Sequence, residues 1–75
     1  MDEKLSETLK KAGYSVTKPR KAVFSALVAG KPRSMRELTL DLESVIDRAS
    51  IYRVVGLFEN LGIVVRVKTG WKYKI

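Results

Sequence analysis

The chain of 75 residues contains no cysteine and no histidine. The missing cysteines exclude disulfides and thiol chemistry, and the two absences together remove the commonest ligands of zinc and other transition metals. The remaining carboxylates do not have the spacing of a calcium-binding loop. We therefore expect neither a metal site nor a cofactor site.

Features of other common classes are missing as well. No apolar run is long enough to span a membrane, and the initial MDEK is not a signal peptide. No nucleophile is paired with a base, and no Gly-rich phosphate loop is present. The chain is expected to be one domain, residues 1–75, that is cytoplasmic, does not bind membranes and is not an enzyme.

The net charge of +7 is unevenly distributed along the chain. Residues 18–36 contain six basic side chains and no acidic one, whereas residues 37–47 contain four acidic side chains and no basic one. The segment after Leu61 is again purely basic. Such a distribution is typical of proteins with a polyanion-binding face, which favours nucleic acid as the partner. A merely soluble basic domain, or one that meets an acidic membrane surface, is the alternative.

The spacing of apolar residues predicts four helices. Their expected ranges are about 2–12, 18–29, 35–44 and 48–61. Capping residues predict where three of the helices begin. Helix 2 follows Thr17, helix 3 opens with the capping box Ser34-Met35-Arg36-Glu37, and helix 4 follows Asp47. The expected inward residues are Leu5, Leu9, Ala12, Val23, Phe24, Leu27, Val28, Met35, Leu38, Leu42, Val45, Ile51, Val54, Val55, Phe58 and Leu61. Helices 3 and 4, joined by a tight turn, form a helix-turn-helix unit.

After Gly62 the apolar period changes from 3.6 to 2, which predicts a β-hairpin at about 63–68 and 71–75. Four helices followed by a basic hairpin give a fold that is mainly α with a small β part, a winged helix-turn-helix.

Two loop lengths are compatible with this hairpin. A three-residue loop, 68–70, places Val67 opposite Trp71 and Val65 opposite Tyr73, so that the apolar residues share one face. It places Arg66, Lys72 and Lys74 together on the other face. A two-residue loop at 69–70 would instead place Val67 opposite Lys72 and mix charge into that face. We therefore predict the three-residue loop.

Helix 4 carries a polar face opposite its apolar stripe. This face contains Ala49, Tyr52, Arg53, Gly56 and Asn60, and Arg48 and Ser50 lie at its N-terminal turn. It is small, polar and positive, as in a helix that lies in a DNA groove. An ordinary solvated surface is the alternative.

Three segments, VTKPRKAVFSAL, SMRELTLDL and RASIYRVVGLFENLGIV, resemble the N-terminal DNA-binding domain of the ferric uptake regulator family. The resemblance covers essentially the whole chain. It implies that Tyr52 approaches base edges and that Arg53 and Arg20 meet phosphates. The regulatory metal sites and the dimerisation domain of that family lie mainly C-terminal to the wing. Metal sensing is not transferred to a chain without histidine or cysteine.

We expect sequence-selective binding of double-stranded DNA by a transcriptional regulator or part of one, with limited base reading by helix 4 and phosphate anchoring by helix 2 and the wing. The expected base contacts are Arg48, Ser50 and Tyr52. The expected phosphate contacts are Thr17, Lys18, Arg20, Arg53, Arg66, Lys68, Lys72 and Lys74.

Two other functions remain open. One is a winged-helix protein-interaction module, in which Leu40, Leu57 and Trp71 would form an exposed apolar patch. The other is a nonspecific architectural or replication-associated DNA binder. We expect a monomer in solution, because neither the outer face of helix 1 nor the edge of the final strand near Ile75 has the apolar area of a stable dimer. Two copies can still pair on DNA.

Overall fold

The computed structural model describes residues 2–28, 31–67 and 72–75. Its elements in chain order are α1 (Asp2–Lys11), α2 (Lys18–Val28), β1 (Arg33–Ser34), α3 (Met35–Leu42), α4 (Arg48–Asn60), β2 (Val65–Val67) and β3 (Lys72–Lys74). The strands form one antiparallel sheet in the order β1-β3-β2. The predicted class, mainly α with a small β part, is confirmed. None of the described helices has the length and apolar character needed to cross a membrane.

One hydrophobic core joins the helices to the base of the hairpin. Its buried residues are Leu5, Leu9, Val23, Phe24, Leu27, Leu38, Ile46, Ile51, Val54, Val55, Phe58 and Val64. The rings of Phe24 and Phe58 meet edge to face with their centroids 6.5 Å apart, which fixes α2 against α4. The predicted apolar stripe of α4 is confirmed, with Leu61 half-buried at its end.

Two residues that were expected to face inward are exposed, namely Ala12 and Val45. The first lies beyond the end of α1. The second follows α3, which ends at Leu42, two residues earlier than predicted. The backbone N–H groups of Val45 and Ile46 both donate to the Leu42 carbonyl, and this tight turn places Ile46 in the core while Val45 stays 72% exposed.

The sequence predicts that Gly13, Gly30 and Gly62 end helices 1, 2 and 4. The first and the last are confirmed, and Gly30 lies outside the described residues. Gly13 follows α1 with φ +86° and Gly62 follows α4 with φ +75°, a left-handed conformation that glycine adopts without strain. After Gly62, the N–H of Ile63 turns back to the Phe58 carbonyl at 2.9 Å. This geometry directs the chain from the end of α4 into the hairpin.

The predicted N-terminal caps are also present. Ser34 accepts from the Glu37 N–H at 3.1 Å, and the Glu37 carboxylate accepts from the Ser34 N–H at 2.9 Å. Asp47 caps α4, and Thr17 accepts from the Arg20 N–H at 3.3 Å. Each cap satisfies amides that would otherwise lack partners at a helix start.

The predicted register of the hairpin is wrong. Val67 pairs with Lys72, Arg66 with Tyr73 and Val65 with Lys74, the register that the shorter loop would give. Tyr73 packs against the core, and its cross-strand neighbour Arg66 shares that face. The expectation that Arg66 shares a face with Lys72 and Lys74 is therefore also wrong. The loop itself, with Lys68 and Trp71, lies outside the described residues.

The strand β1 was not expected. Arg33 pairs with Tyr73 and Ser34 with Lys72, so the residues just before α3 become an edge of the sheet. At its open end the hairpin is also shorter than predicted, since β2 begins at Val65 and β3 ends at Lys74. Val64, just before β2, is 2% exposed, whereas Val65 is 49% exposed. The pairing with β1 connects the wing directly to the start of the helix-turn-helix unit.

Candidate nucleic-acid interface

The two faces of α4 differ in burial as the sequence predicted. On one face Ile51 and Phe58 are completely buried. On the other, Tyr52 is 52% exposed and Arg53 is also exposed. The buried face fixes the helix to the core, so the opposite face is presented to solvent on a rigid element.

At the N-terminus of α4, the Ser50 hydroxyl is already engaged. It donates to Oδ1 of Asp47 at 2.6 Å, while the Ser50 N–H donates to Oδ2 at 3.1 Å. Both hydrogen bonds lower the pKa of Asp47, and the bond from the Ser50 side chain has the larger effect. In this arrangement the hydroxyl of Ser50 can accept a hydrogen bond from a base but has no hydrogen left to donate.

An open groove lies between α3 and the N-terminal half of α4. It is lined by Arg36, Thr39, Leu40, Arg48 and Tyr52. Thr39 is 5% exposed, and its hydroxyl donates to the Arg36 carbonyl at 2.9 Å. Neither guanidinium group forms an ion pair or hydrogen bond with a residue that the structure describes. Both cations are therefore available to an external anion.

Arg36 was not among the expected site residues. The sequence indicates it only by its position in the first turn of α3, which puts Arg36 on the same side of the helix as Leu40, one turn later. The predicted site residues Arg48 and Tyr52 lie in the same groove.

At the start of α2, Arg20 is partly engaged within the molecule. Its Nη1 donates to the Ser15 carbonyl at 2.7 Å, and its guanidinium carbon lies 5.3 Å from the centre of the Tyr14 ring. Lys18 is exposed and Thr17 is half-buried. Arg20 thus holds the segment before α2 against the helix, and its other N–H groups remain for a ligand.

In the hairpin, Arg66 is also engaged. Its Nη2 donates to Oε1 of Glu59 at 3.3 Å, and its guanidinium lies over the Tyr73 ring at 5.4 Å. Lys72 and Lys74 lie on the other face of the sheet, and Lys74 is exposed. The predicted basic wing is therefore divided between two faces, and its arginine already has an acidic partner.

The acidic stretch from residue 37 to 47 has a structural role at three of its four carboxylates. Glu37 caps α3, and the hydrogen bond from the Ser34 N–H is the main reason that its pKa is lowered. Asp41 forms an ion pair with Arg33, and Asp47 caps α4. These acids therefore organise the helix-turn-helix unit instead of forming a separate surface.

Three solved structures of ferric uptake regulators are similar to this chain. The Vibrio cholerae protein is 32% identical with a TM-score of 0.75, over 93% of this chain and 60% of that one. The Helicobacter pylori protein is 26% identical with a TM-score of 0.79, over 97% and 53%. The Francisella tularensis protein, solved with iron, is 27% identical with a TM-score of 0.73, over 84% and 54%. No family model and no curated protein sequence matches.

The chain is therefore a winged-helix domain like that of the ferric uptake regulators, which confirms the resemblance seen in the sequence. It spans between 53% and 60% of the length of these three regulators. The Helicobacter pylori protein is described as having three functional metal-binding sites. The residues of this chain do not fit such a site, because it has no histidine or cysteine and its described carboxylates form no cluster of three.

Proposed function

We propose that this chain is a sequence-selective double-stranded DNA-binding unit of a transcription regulator and has no enzymatic activity. The N-terminal half of α4 enters the major groove, where Tyr52 contacts base edges. Arg53, Lys18, Arg20 and the wing lysines contact phosphates and set the orientation of the domain. A protein with this function acts where the DNA is, which agrees with the cytoplasmic location expected from the sequence.

The observation that carries this proposal is the outward face of α4. A half-exposed aromatic ring lies beside exposed arginine side chains, on a helix whose other face is completely buried. Tyrosine offers a ring for thymine methyl groups and a hydroxyl for polar base edges. The fold similarity to ferric uptake regulators, one of which is described by the rearrangement of its DNA-binding domains, supports the same function.

The test starts with selection of a duplex from a random library. Binding of the selected duplex and of a random duplex of equal length is then measured by fluorescence anisotropy at several salt concentrations. If helix 2, helix 4 and the wing neutralise roughly 4–6 phosphates, log K should fall against log salt with a slope of about −4 to −5. Binding that does not depend on salt would contradict the proposal. Equal affinity for both duplexes would favour a nonspecific DNA binder.

The protein-interaction alternative has less support in the structure. It required Leu40 and Leu57 to be exposed together, but Leu57 is half-buried and packs against the core. Trp71, the third residue of that patch, lies outside the described residues. The exposed Leu40 remains, beside Arg36 and Arg48.

We further propose that the chain is a monomer in solution and binds one half-site with about micromolar affinity, since a single small module buries only about 600–1,000 Å². The exposed side chains of α1 include Lys4, Glu7, Lys10 and Lys11. The groove between α1 and the end of α4 has a mixed lining, with the polar side chains of Lys4 and Thr8 beside Leu61 and Ile63. Sedimentation at several concentrations without DNA tests this, and a concentration-independent dimer would contradict it.

A further inference from the structure

The groove between α3 and α4 combines two chemical characters. Arg36 and Arg48 provide two guanidinium groups without acidic partners in the described part of the chain. The same groove presents Leu40, which is 59% exposed, and the half-exposed ring of Tyr52. A single exposed leucine is ordinary at a protein surface. Here it lies in the same groove as two guanidinium groups, so the groove suits a ligand that has both negatively charged and apolar parts.

A DNA backbone has this alternation, because each phosphate is followed by a largely apolar deoxyribose. Arginine presents a planar fork of N–H groups that matches two phosphate oxygens. A leucine or an aromatic ring can contact the sugar that follows. A free inorganic anion would engage the arginines but would leave Leu40 uncovered. The groove therefore fits a DNA strand better than a small anion.

We propose that the groove between α3 and α4 binds one stretch of DNA backbone, with Arg36 and Arg48 on its phosphates and Leu40 against a deoxyribose. This inference rests on the proposed DNA binding. It adds α3 to the interface, and it assigns Arg48 to phosphate instead of to a base edge.

The first test uses Arg36→Ala and Arg48→Ala. Each variant should bind the selected and the random duplex about 3- to 10-fold more weakly, and each should reduce the salt slope by about one, because phosphate contacts carry no sequence information. Arg36→Lys should recover only part of the affinity, since lysine keeps the charge but lacks the planar fork. Circular dichroism melting should be unchanged, because the Arg36 side chain is exposed.

Lys4→Ala is the matched control. It also removes one exposed positive charge, but Lys4 lies in the groove beside Leu61 and Gly62, at the opposite end of α4 from Arg48. This control should change affinity less than 2-fold. If Arg36→Ala behaves like Lys4→Ala while Arg20→Ala weakens binding, the groove proposal is wrong and DNA binding stands. If the wild-type chain does not bind duplex DNA, the proposed function itself is wrong.

Single methylphosphonate substitutions in the selected duplex locate the contact. Wild-type protein should lose affinity when one particular phosphate is made neutral, and Arg36→Ala should no longer respond at that position. Equal sensitivity of both proteins at every position would overturn the assignment of Arg36. A loss for Arg48→Ala that is confined to the selected duplex would return Arg48 to base reading.

Discussion

The helix-turn-helix unit and the hairpin both carry arginines, but these arginines are in different states. In the helix-turn-helix unit, Arg36 and Arg48 line an open groove without acidic partners among the described residues. In the hairpin, Arg66 is bonded to Glu59 and stacked on Tyr73. Arginines that look equivalent in the sequence therefore differ in how available their guanidinium groups are to a ligand.

This difference follows from what each region uses to hold itself in place. The helices of the helix-turn-helix unit are held by completely buried side chains and capped ends, so their outward cations are not needed internally. Among the described residues of β2 and β3 none is completely buried. Tyr73 packs half-buried against the core, and Arg66 joins β2 to the end of α4. A cation that stabilises a weakly packed element is less available for binding.

The largest expected effect tests the difference in packing. Phe58→Ala should lower the free energy of unfolding by about 3–5 kcal/mol, because it removes a completely buried ring under α4. Tyr73→Ala should cost less, since that ring is only half-buried. Urea denaturation measures both. Equal losses would show that the hairpin is as tightly packed as the helices.

The next effect tests which region reads sequence. Tyr52→Ala should weaken binding to the selected duplex by about 1–3 kcal/mol and affect random DNA much less, because base contacts carry the specificity. Tyr52→Phe keeps the ring and separates its contribution from that of the hydroxyl. If Tyr52→Ala lowers the melting temperature and leaves discrimination unchanged, the residue serves packing.

Gly56 tests how far along α4 the DNA approaches. Apart from the neighbouring backbone of α4 itself, a methyl group at this position would meet no atom of the described residues within 4 Å. Gly56→Ala should therefore raise the free energy of unfolding by about 0.8–1.0 kcal/mol. We expect the same variant to bind both duplexes more weakly, since the added methyl group would lie on the face of α4 that we propose contacts DNA. Unchanged affinity together with higher stability would end the interface before Gly56.

A smaller change should make the hairpin behave like the helix-turn-helix unit. Glu59→Gln removes the acidic partner of Arg66. The released guanidinium should make the salt slope steeper by up to about one unit, as one more phosphate contact would. Glu43→Gln removes an equal charge from the exposed turn after α3 and should not steepen the slope. Equal slopes for the two variants would show that Arg66 does not reach DNA.

Acid should weaken the helix-turn-helix unit through the carboxylate caps of its two helices. The pKa values of Glu37 and Asp47 are lowered in the folded chain from ordinary values of 4.5 and 3.8. Their stabilising contribution is therefore complete above those values and is lost as the pH falls through the lower folded values. Thermal melting between pH 7 and 2 should show a smaller acid loss for Asp47→Asn than for wild type. Parallel curves would contradict this role of the cap.

The sequence predicted helices far better than the sheet. Caps such as Asp47 and stops such as Gly62 act through neighbouring residues, so their chemistry is visible locally. The strand β1 has two residues, too few for any periodicity, and forms only because Tyr73 lies beside Arg33. The predicted register of the hairpin was wrong because we assumed that all apolar residues of the hairpin share one face. In the structure Tyr73 packs against the core while its cross-strand partner is the polar Arg66.

The candidate site was predictable in its residue types but not in its pairings. The exposed face of α4 follows from helical spacing, and Tyr52 and Arg53 are exposed as expected. That Arg66 meets Glu59 depends on how the hairpin folds back against α4, which no local pattern encodes. Arg36 was missed for the same reason, because its groove needs α3 and α4 together.

The order of strands in the sheet has a consequence for synthesis of the chain. The central strand β3 is the last element, and it pairs with β1, which precedes α3. During translation the first strand leaves the ribosome long before its partner exists, whereas α3 and α4 pack against α2, which precedes both of them. The nascent chain can therefore form its helical core first and must keep the edge at Arg33 and Ser34 unpaired until residues 72–74 have emerged.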